Sequence, residues 1–312
     1  MPEVGLEQLC GQFGTTRQAY YAMEKRIEEV ESQEEKVLEM VRQVRSELPR
    51  LGVRKLYILI SFNLLSVNIK MGRDALFNLL RREEMLIRSK KRSTKTTDSR
   101  GSSRDFPDLT IGFTPTSAGQ LWVSDITYIA VKEGFIYLFL TTDAYSRKIV
   151  GYCLSDNMKA ENAVTALRMA QQQYKVVEGV PLIHHSDRGK QYDSAMFKKA
   201  FGLDENNASE KVLLSMTQNS DPRENALAER VNGILKEEWF CEMKFVDLKQ
   251  AIPMVGGVIE KYNTKRPHSS CDMNTPEQAH LMTGELKKHW KNYYLLNRDK
   301  EAVMPDVMTE KT

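Results

Sequence analysis

The sequence predicts an α/β fold in which a mixed sheet with flanking helices follows an all-α region. Up to residue 88 the apolar residues recur at helical spacing, whereas from residue 120 short apolar runs indicate strands. Three consecutive strands, followed by strands that alternate with helices, are typical of a mixed sheet with helices on its faces. The 312 residues are 41% hydrophobic and 28% charged, which is ordinary for a globular protein.

The first helical region, residues 1–48, is predicted to resemble a helix-turn-helix unit. "LEQLCGQFGTTRQAYYAMEKR" at 6–26 indicates two short helices that meet at Gly14, and Thr15 or Thr16 can cap the second helix. A third, amphipathic helix of about four turns should follow, too short to require a coiled coil and expected to pack within its own domain. Its apolar positions recur every three or four residues: Val37, Val41, Val44 and Leu48.

The second helical region, residues 49–90, is predicted to be a helix-turn-helix that binds DNA. "VRKLYILISFNLL" and "GRDALFNLLRREEML" indicate its two helices, and residues 50–104 carry 14 basic and 4 acidic side chains. Such an excess favours a polyanionic partner, although a solvated helix face is the simpler explanation of a charge run. The candidate DNA contacts in these helices are Arg54, Lys55, Arg73, Arg81 and Arg82.

A basic linker, residues 91–115, is predicted between the helical regions and the sheet. "RSKKRSTKTTDSRGSSRDFPD" at 88–108 is rich in Ser, Thr, Lys and Arg and has almost no apolar residue. Basic side chains in such a segment can follow DNA phosphates, which adds three candidate contacts: Lys90, Lys91 and Arg92.

The strands of the sheet follow in a clear order. "LWVSDITYIAV", "FIYLFLTT" and "KIVGYCL" predict an antiparallel meander, and a helix is expected at about 160–174. "VPLIHHSD" and "KVLLSM" predict a fourth and a fifth strand, with the short helix "SAMFKKAF" between them. "ENALAERVNGILKEEWF" predicts a long final helix, which can cover one face of the sheet.

Two aspartates occupy notable positions on the predicted strands: one lies within a strand and one follows a strand. Asp125 interrupts an apolar stripe on the first strand, so it should pair with a cation, either in a structural salt bridge or as a metal ligand. Asp187 follows the apolar run "VPLI". It can be an ordinary turn residue that forms local hydrogen bonds, or a ligand at a strand end, where sites of such sheets collect.

The long helix offers a third carboxylate. Glu229, Asn232 and Lys236 share one helix face, while interleaved apolar residues can hold another face on the sheet. A solvated polar face would explain the three residues equally well. If Asp125, Asp187 and Glu229 converge, however, their oxygens suit Mg²⁺ or Mn²⁺, and two such ions would serve phosphodiester cleavage. We therefore predict these three residues as catalytic and metal-binding, with no other cofactor.

Further sequence features limit the class of protein. Four isolated cysteines indicate packed, reduced thiols rather than disulfides, and the N-terminal residues show no signal peptide pattern. No apolar run approaches the roughly 18–20 residues of a membrane span. We expect a cytoplasmic protein without a membrane partner.

Five motifs resemble those of retroviral-integrase-type transposases, and in particular the bacterial IS-three insertion-sequence group, second reading frame (OrfB). The acidic motifs are "WVSDIT" at 122–127, "HSDRGKQY" at 185–192 and "ENALAERVNGILKEE" at 224–238. "TTDAYSRKIVGY" and "YNTKRPHSSCDMNTPEQA" also resemble that group. The resemblance implies an RNase H-like integrase catalytic core over 116–285, followed by a C-terminal tail, 286–312.

The resemblance also implies a function. A DNA transposase of this group nicks the ends of its insertion sequence and joins the 3′-hydroxyl to a new phosphodiester by metal-dependent strand transfer. The implied partners are double-stranded DNA, both terminal repeats and target, and either a first-frame (OrfA) product or a second copy of the chain at the bacterial nucleoid. Asp125, Asp187 and Glu229 match the D, D and E of the active site. The motifs add further candidate DNA contacts: Arg188, Asn232, Lys236, Arg266 and His268.

The sequence departs from the resembled pattern in two ways. Forty-one residues separate Asp187 from Glu229, about a turn and a half of helix more than usual, and we assign the excess to a surface loop at 202–210. Glu224 lies nearer the usual spacing, but its place before "NA" in the motif favours Glu229. No His and Cys pairs occur in the N-terminal region, so no structural zinc is expected.

Two other functions remain open from the sequence. The chain can be a catalytically silent DNA-binding regulator derived from a transposase, or a nuclease of the same fold that cuts without joining. "KRPH" at 265–268 can likewise contact phosphate or only cap a helix–loop junction, and His185 can orient a carboxylate, contact DNA or form structural hydrogen bonds.

Overall fold

The computed structural model describes residues 5–88, 106–174, 179–203, 211–218 and 225–289. The chain divides into two compact units, Met1–Arg92 and Ser93–Thr312, and each is described by itself.

The first unit is helical throughout its described part. Its helices are α1 (Leu6–Gln12), α2 (Arg17–Glu47), α3 (Val53–Ser66) and α4 (Arg73–Arg82). Each of the last three helices turns an apolar face inward, as the amphipathic spacing predicts. The core they form contains Val37, Leu38, Val41, Leu56, Ile60, Leu64, Leu76, Leu79 and Leu80.

Helix α2 is longer than the sequence predicts, because it replaces an expected short helix and a separate amphipathic helix. The turn before it is as predicted: Gly14 has φ 66°, and Thr16 caps α2 by accepting the Ala19 N–H at 3.1 Å. From Arg17 onward no Gly or Pro interrupts the backbone hydrogen bonds until Pro49, so the two expected helices are one helix of 31 residues.

The second unit contains a mixed five-stranded sheet in the order β3-β2-β1-β4-β5, as the sequence predicts. Strands β1 (Leu121–Ala130), β2 (Phe135–Asp143) and β3 (Ile149–Ser155) form the antiparallel meander. Strands β4 (Leu182–Ser186) and β5 (Val212–Met216) continue the sheet in parallel from β1. The helices are α5 (Ala160–Gln173), α6 (Ala195–Ala200), α7 (Ala226–Glu238), α8 (Leu248–Thr264) and α9 (Pro276–His280), with a 3₁₀ turn at Phe240–Glu242.

Helices cover both faces of this sheet. On one face, Trp122 and Phe139 pack in a large core with residues of α5 and α6. The close approach of α5 requires Gly151 on β3, because a Cβ there would lie 2.0 Å from the Ala166 carbonyl oxygen. On the other face, Val123 packs with Ala228 of α7, and this contact brings α7 over the middle of β1.

The ends of the second unit differ from the expected segments. Phe106 packs against the core and the Leu109 N–H donates to Ser215 Oγ at 2.9 Å, so residues 106–115 of the expected linker are part of this unit. The apolar side chains of this segment pack against the core, which is why it does not behave as a linker. Leu286 is likewise buried, which attaches the start of the expected tail. The remaining residues of the linker and tail, 91–105 and 290–312, lie outside the described residues.

In the described part of the chain, no helix is both long enough and apolar enough to cross a membrane.

Candidate active site

The pairing of β1 with β4 brings two aspartates to one point. Ser124 lies opposite Ser186 in the parallel register, so the next residues, Asp125 and Asp187, are neighbours where β4 ends. Residues in register on adjacent strands share a face of the sheet. Both aspartates therefore lie on the face that carries Val123, which is the face covered by α7.

Asp125 accepts two hydrogen bonds through its carboxylate. Its Oδ1 accepts the Ile126 N–H at 2.9 Å and its Oδ2 accepts Asn232 Nδ2–H at 2.7 Å. Burial, and then the charge of Asp187, raises the pKa of Asp125 to about 7, and Glu229 adds to this effect. Among the described residues Asp125 has no ion-pair partner, so the expected structural salt bridge is not formed there.

Asp187 shapes the turn after β4. Its Oδ1 accepts the Gly189 N–H at 3.0 Å, the local bond expected of a turn aspartate. A Cβ at residue 189 would lie 2.9 Å from this same oxygen, which explains the glycine. Burial raises the pKa of Asp187, while the Gly189 bond and the Arg188 charge oppose the rise. Asp187 can therefore both stabilise the turn and serve as a ligand at the end of β4.

Helix α7 carries Glu229, Asn232 and Lys236 on the side that lies near Asp125. At its start, Asn225 Nδ2 donates to the Ser124 carbonyl oxygen at 3.2 Å and anchors the helix on β1. Asn232 is buried and contacts Asp125, with exposed Glu229 one turn before it and Lys236 one turn after it. Burial lowers the pKa of Lys236, and the nearby Asp125 carboxylate opposes that shift.

The donor atoms fit an oxygen-loving divalent cation. At the end of β4 the charge of Asp187 raises the pKa of Asp125, and Asn232 Oδ1 is buried there without a hydrogen-bond partner. Within the described residues, however, no three His, Cys, Asp or Glu side chains are close enough to hold an ion together. The structure therefore brings Asp125 and Asp187 together and places Glu229 within electrostatic reach rather than in shared coordination.

Two residues that the sequence predicts as DNA contacts, Arg266 and His268, are buried in the structure. Arg266 is fully buried, and its guanidinium donates to both carboxylate oxygens of Glu238 at 2.6 and 2.5 Å. His268 is 6% exposed, and its Nδ1 accepts the Ser270 N–H at 3.2 Å. The "KRPH" segment therefore supports the junction after α8, the alternative that the sequence left open.

The expected DNA contacts of the first unit are mostly at its surface. Arg54, Arg73, Arg81 and Arg82 are exposed, and Lys55 is partly buried. Arg73 pairs with Asp74, and Arg82 pairs with Glu34 and Glu83. Arg188 lies beside Asp187 in the second unit. Four further expectations lie outside the described residues: Lys90, Lys91, Arg92 and the loop from 204 to 210.

The histidines of the "HHSD" motif have structural hydrogen bonds. His184 Nε2 lies 2.9 Å from Ser124 Oγ, and His185 Nδ1 lies 2.8 Å from Ser215 Oγ. The motif did not predict a role for Tyr192, which is buried in the core on the α5 face; burial, and then the charges of Asp187 and Asp125, raise its pKa. Asn225 was missed as well, although its place before α7 in "ENALAER" is the position of a helix start.

Two family models match the second unit of the chain. Residues 115–216 match one model of the integrase core domain, and residues 210–276 match a second. The catalytic core of HTLV-2 integrase, solved in complex with magnesium, is 19% identical with a TM-score of 0.40, covering 54% of this chain and 99% of that one.

Bacterial relatives are more similar in sequence. The chain is 32% identical over 286 residues to the "Insertion element IS600 uncharacterized 31 kDa protein" of Shigella sonnei, covering 88% of this chain and 99% of that protein. It is 32% identical to the transposase for insertion sequence element IS904 of Lactococcus lactis (57% and 68% covered). It is 34% identical to transposase InsF for insertion sequence IS3A of Escherichia coli (53% and 55% covered). The chain therefore belongs to the family of insertion-sequence transposases that carry an integrase core domain.

Proposed function

We propose that this DNA transposase cleaves and joins phosphodiesters at Asp125, Asp187 and Glu229. The observation that carries the proposal is the β1–β4 register, which sets Asp125 beside Asp187 so that the charge of Asp187 raises the pKa of Asp125. Glu229 lies on the helix that Asn225 and Asn232 fasten across the same strand. Three carboxylates from separate segments are the donor set that divalent-ion phosphodiester chemistry requires.

Mg²⁺ or Mn²⁺, bound as two ions, fits the oxygen donors at this point. When bound, the ions would reduce the cost of charge on the attacking and leaving oxygens. The chain's own residues then have distinct tasks. Asp125 and Asp187 would hold the cofactor, Glu229 would supply the third carboxylate, and Asn232 would fix the orientation of Asp125.

The reaction we propose has two displacements at phosphorus. Water attacks a phosphodiester at the end of the element, the bond from phosphorus to the 3′-oxygen breaks, and a free 3′-hydroxyl is released. That hydroxyl then attacks a second phosphodiester, forming a new bond to phosphorus as the old one breaks. The number of phosphodiesters is unchanged in this step, and no covalent bond joins protein to DNA.

The DNA contacts are proposed from exposed basic residues. Residues 1–48 and 49–90 would bind the terminal repeats through their helices, with the exposed side chains of Arg54 and Arg81 among the contacts. Lys236 and Arg188 lie near the aspartates, where they would meet the phosphate of the donor end. A first-frame product or a second copy would complete the complex at the bacterial nucleoid.

An in vitro assay with element-end DNA, target DNA and Mg²⁺ tests the proposal. Asp187→Asn and Glu229→Gln should abolish joined products, whereas Glu237→Gln should not, because Glu237 is exposed on the same helix. Strand transfer by either of the first two variants at the rate of the unmodified chain would reject the assignment. Hydrolysed ends without joining would instead indicate a nuclease, and DNA binding without any product would indicate a silent regulator.

A further inference from the structure

Ser124, the residue before Asp125, has a polar side chain on the apolar face of the sheet. On β1 the side chains of Trp122, Ser124 and Ile126 share the face that α5 and α6 cover. Trp122 and Ile126 pack in the core there, whereas Ser124 is 1% exposed and places a hydroxyl in the same layer. A buried hydroxyl destabilises a fold unless it is hydrogen-bonded, and an alanine would avoid that cost.

Two neighbouring strands supply the hydrogen-bond partners of this hydroxyl. Ser124 Oγ lies 3.0 Å from Thr141 Oγ1 on β2 and 2.9 Å from His184 Nε2 on β4. Thr141 and His184 are buried as well, so the three side chains form a hydrogen-bonded chain that is shielded from water. Thr141 lies directly opposite Ser124 in the antiparallel register. The chain therefore crosses the three central strands one residue before Asp125.

The backbone of Ser124 is bonded to a fourth element. Its carbonyl oxygen accepts the side-chain amide of Asn225 at 3.2 Å, and Asn225 immediately precedes α7. Side-chain hydrogen bonds thus join β1 at Ser124 to β2, to β4 and to α7. Asp187 directly follows β4, and Glu229 lies on α7. The segments that carry the other two carboxylates are both bonded to the residue next to Asp125.

These bonds support a strand pairing that is short. Strand β1 pairs with β4 over four residue pairs, and β4 has five residues. A slip of one residue between two strands moves every side chain of a strand to the opposite face. Such a slip would place the carboxylates of Asp125 and Asp187 on different faces of the sheet. The bond from Ser124 to His184 requires both side chains on one face, so it favours the observed register.

We propose that Ser124 is a positioning residue, which acts through its neighbour Asp125 on the geometry of the metal site. Its hydroxyl lies on the face opposite to the carboxylates, so it acts through the backbone of β1 and not as a ligand. The proposal rests on the proposed function, because it takes Asp125 and Asp187 as ligands. A buried network of this kind selects one arrangement of strands, although an apolar core can be equally stable.

Binding of Mn²⁺ to the full chain, followed by electron paramagnetic resonance, tests the proposal without DNA. Ser124→Ala removes the hydroxyl, and we expect the dissociation constant for Mn²⁺ to rise about tenfold, because the aspartates lose their fixed spacing. Ser155→Ala is the matched control. Ser155 is also buried and accepts the Asn157 N–H at 3.3 Å, but it ends β3, which β2 separates from β1. Its dissociation constant should equal that of the unmodified chain.

Two further substitutions separate positioning from a general loss of packing. Ser124→Thr keeps the hydroxyl and should bind Mn²⁺ more tightly than Ser124→Ala. Thr141→Val removes the other end of the bond with little change in side-chain shape, and it should also weaken Mn²⁺ binding. The double variant Ser124→Ala/Thr141→Val should bind no more weakly than Ser124→Ala, because both substitutions remove the same bond. Thr141→Val carries the test if Ser124→Ala does not fold.

The joining assay separates the role of Ser124 from the proposed function. Ser124→Ala should lower kcat about 10–100-fold and leave the KM for DNA unchanged, because a side chain that is 1% exposed does not touch DNA. Ser124→Ala and Thr141→Val that match Ser155→Ala in Mn²⁺ affinity and kcat, while Asp187→Asn abolishes joining, would overturn the proposal and leave the proposed function in place. If the unmodified chain binds Mn²⁺ but joins no DNA, the proposed function fails, and the Mn²⁺ affinities still decide the role of Ser124.

Discussion

At the scale of single residues, the site depends on how a buried carboxylate is satisfied. Asp125 accepts one backbone N–H and the Asn232 amide, and its pKa of about 7 reflects burial and two neighbouring carboxylates. The sequence indicated the conflict, since Asp125 interrupts an apolar stripe. It did not indicate the solution, because Asn232 is remote along the chain and its amide had been expected to contact DNA.

The Asn232 amide should be a positioning group for Asp125. Asn232→Ala removes the donor without adding charge, so we expect the rate of strand transfer to fall about 10–100-fold and the required Mg²⁺ concentration to rise. Titrating Mg²⁺ in the joining assay measures both quantities, with Glu237→Gln as the control. An unchanged Mg²⁺ dependence would show that the amide does not orient the carboxylate.

The Arg266–Glu238 pair should matter for stability rather than for DNA. Arg266→Ala leaves Glu238 without its bidentate partner, so we expect a loss of about 3–5 kcal/mol in the free energy of unfolding. Arg230→Ala, which removes a long contact between exposed residues, should change it by less than about 1 kcal/mol. Denaturant titration measures both. Normal stability with weaker DNA binding in Arg266→Ala would contradict the structural assignment.

His184 should make stability depend on pH. Burial lowers its pKa from 6.5 to about 3, so the unfolded chain binds a proton there that the folded chain does not. This contribution is fully present above pH 6.5 and is lost as the pH falls towards 3, by up to about 1.4 kcal/mol per pH unit. His184→Gln should reduce the pH slope of the unfolding free energy between pH 6.5 and 5. An identical slope in both proteins would contradict this.

At the scale of elements, spacing predicted the strands and most helices, but it could not supply contacts between them. The alternation in β1 indicated which residues share a face, whereas the register that sets Asp125 beside Asp187 depends on pairing with a strand about 60 residues away. The valine stripe likewise predicted the second half of α2. Its first half was predicted as a separate short helix, although no Gly or Pro separates the two segments.

The contact of α5 with β3 gives a prediction at this scale. Gly151→Ala would place a methyl group 2.0 Å from the Ala166 carbonyl oxygen and 2.9 Å from the Ala170 nitrogen, both backbone atoms. We expect the free energy of unfolding to fall by about 1–3 kcal/mol or more. Gly257→Ala in α8 is the control, since nothing lies within 4 Å of its added Cβ, and it should be neutral or stabilising. Equal effects of the two substitutions would disprove the close approach.

At the scale of the whole molecule, the chain combines a helical unit with an integrase core. The motifs at 122–127, 185–192 and 224–238 allowed the core to be recognised from sequence, since their order and residue types are specific. The sequence did not predict which residues of the connecting segments are buried. Phe106 and Leu286 belong to the second unit, yet their basic and polar neighbours made them resemble linker and tail.

The location of a bound cation tests the central claim most directly. In a crystal of the full chain soaked in Mn²⁺, we predict an anomalous difference peak within about 2.5 Å of carboxylate oxygens from both Asp125 and Asp187, with the Glu229 side chain turned towards it. Asp187→Asn crystals soaked in the same way provide the control and should lose the peak. Ordered Mn²⁺ elsewhere, with none between Asp125 and Asp187, would contradict the account.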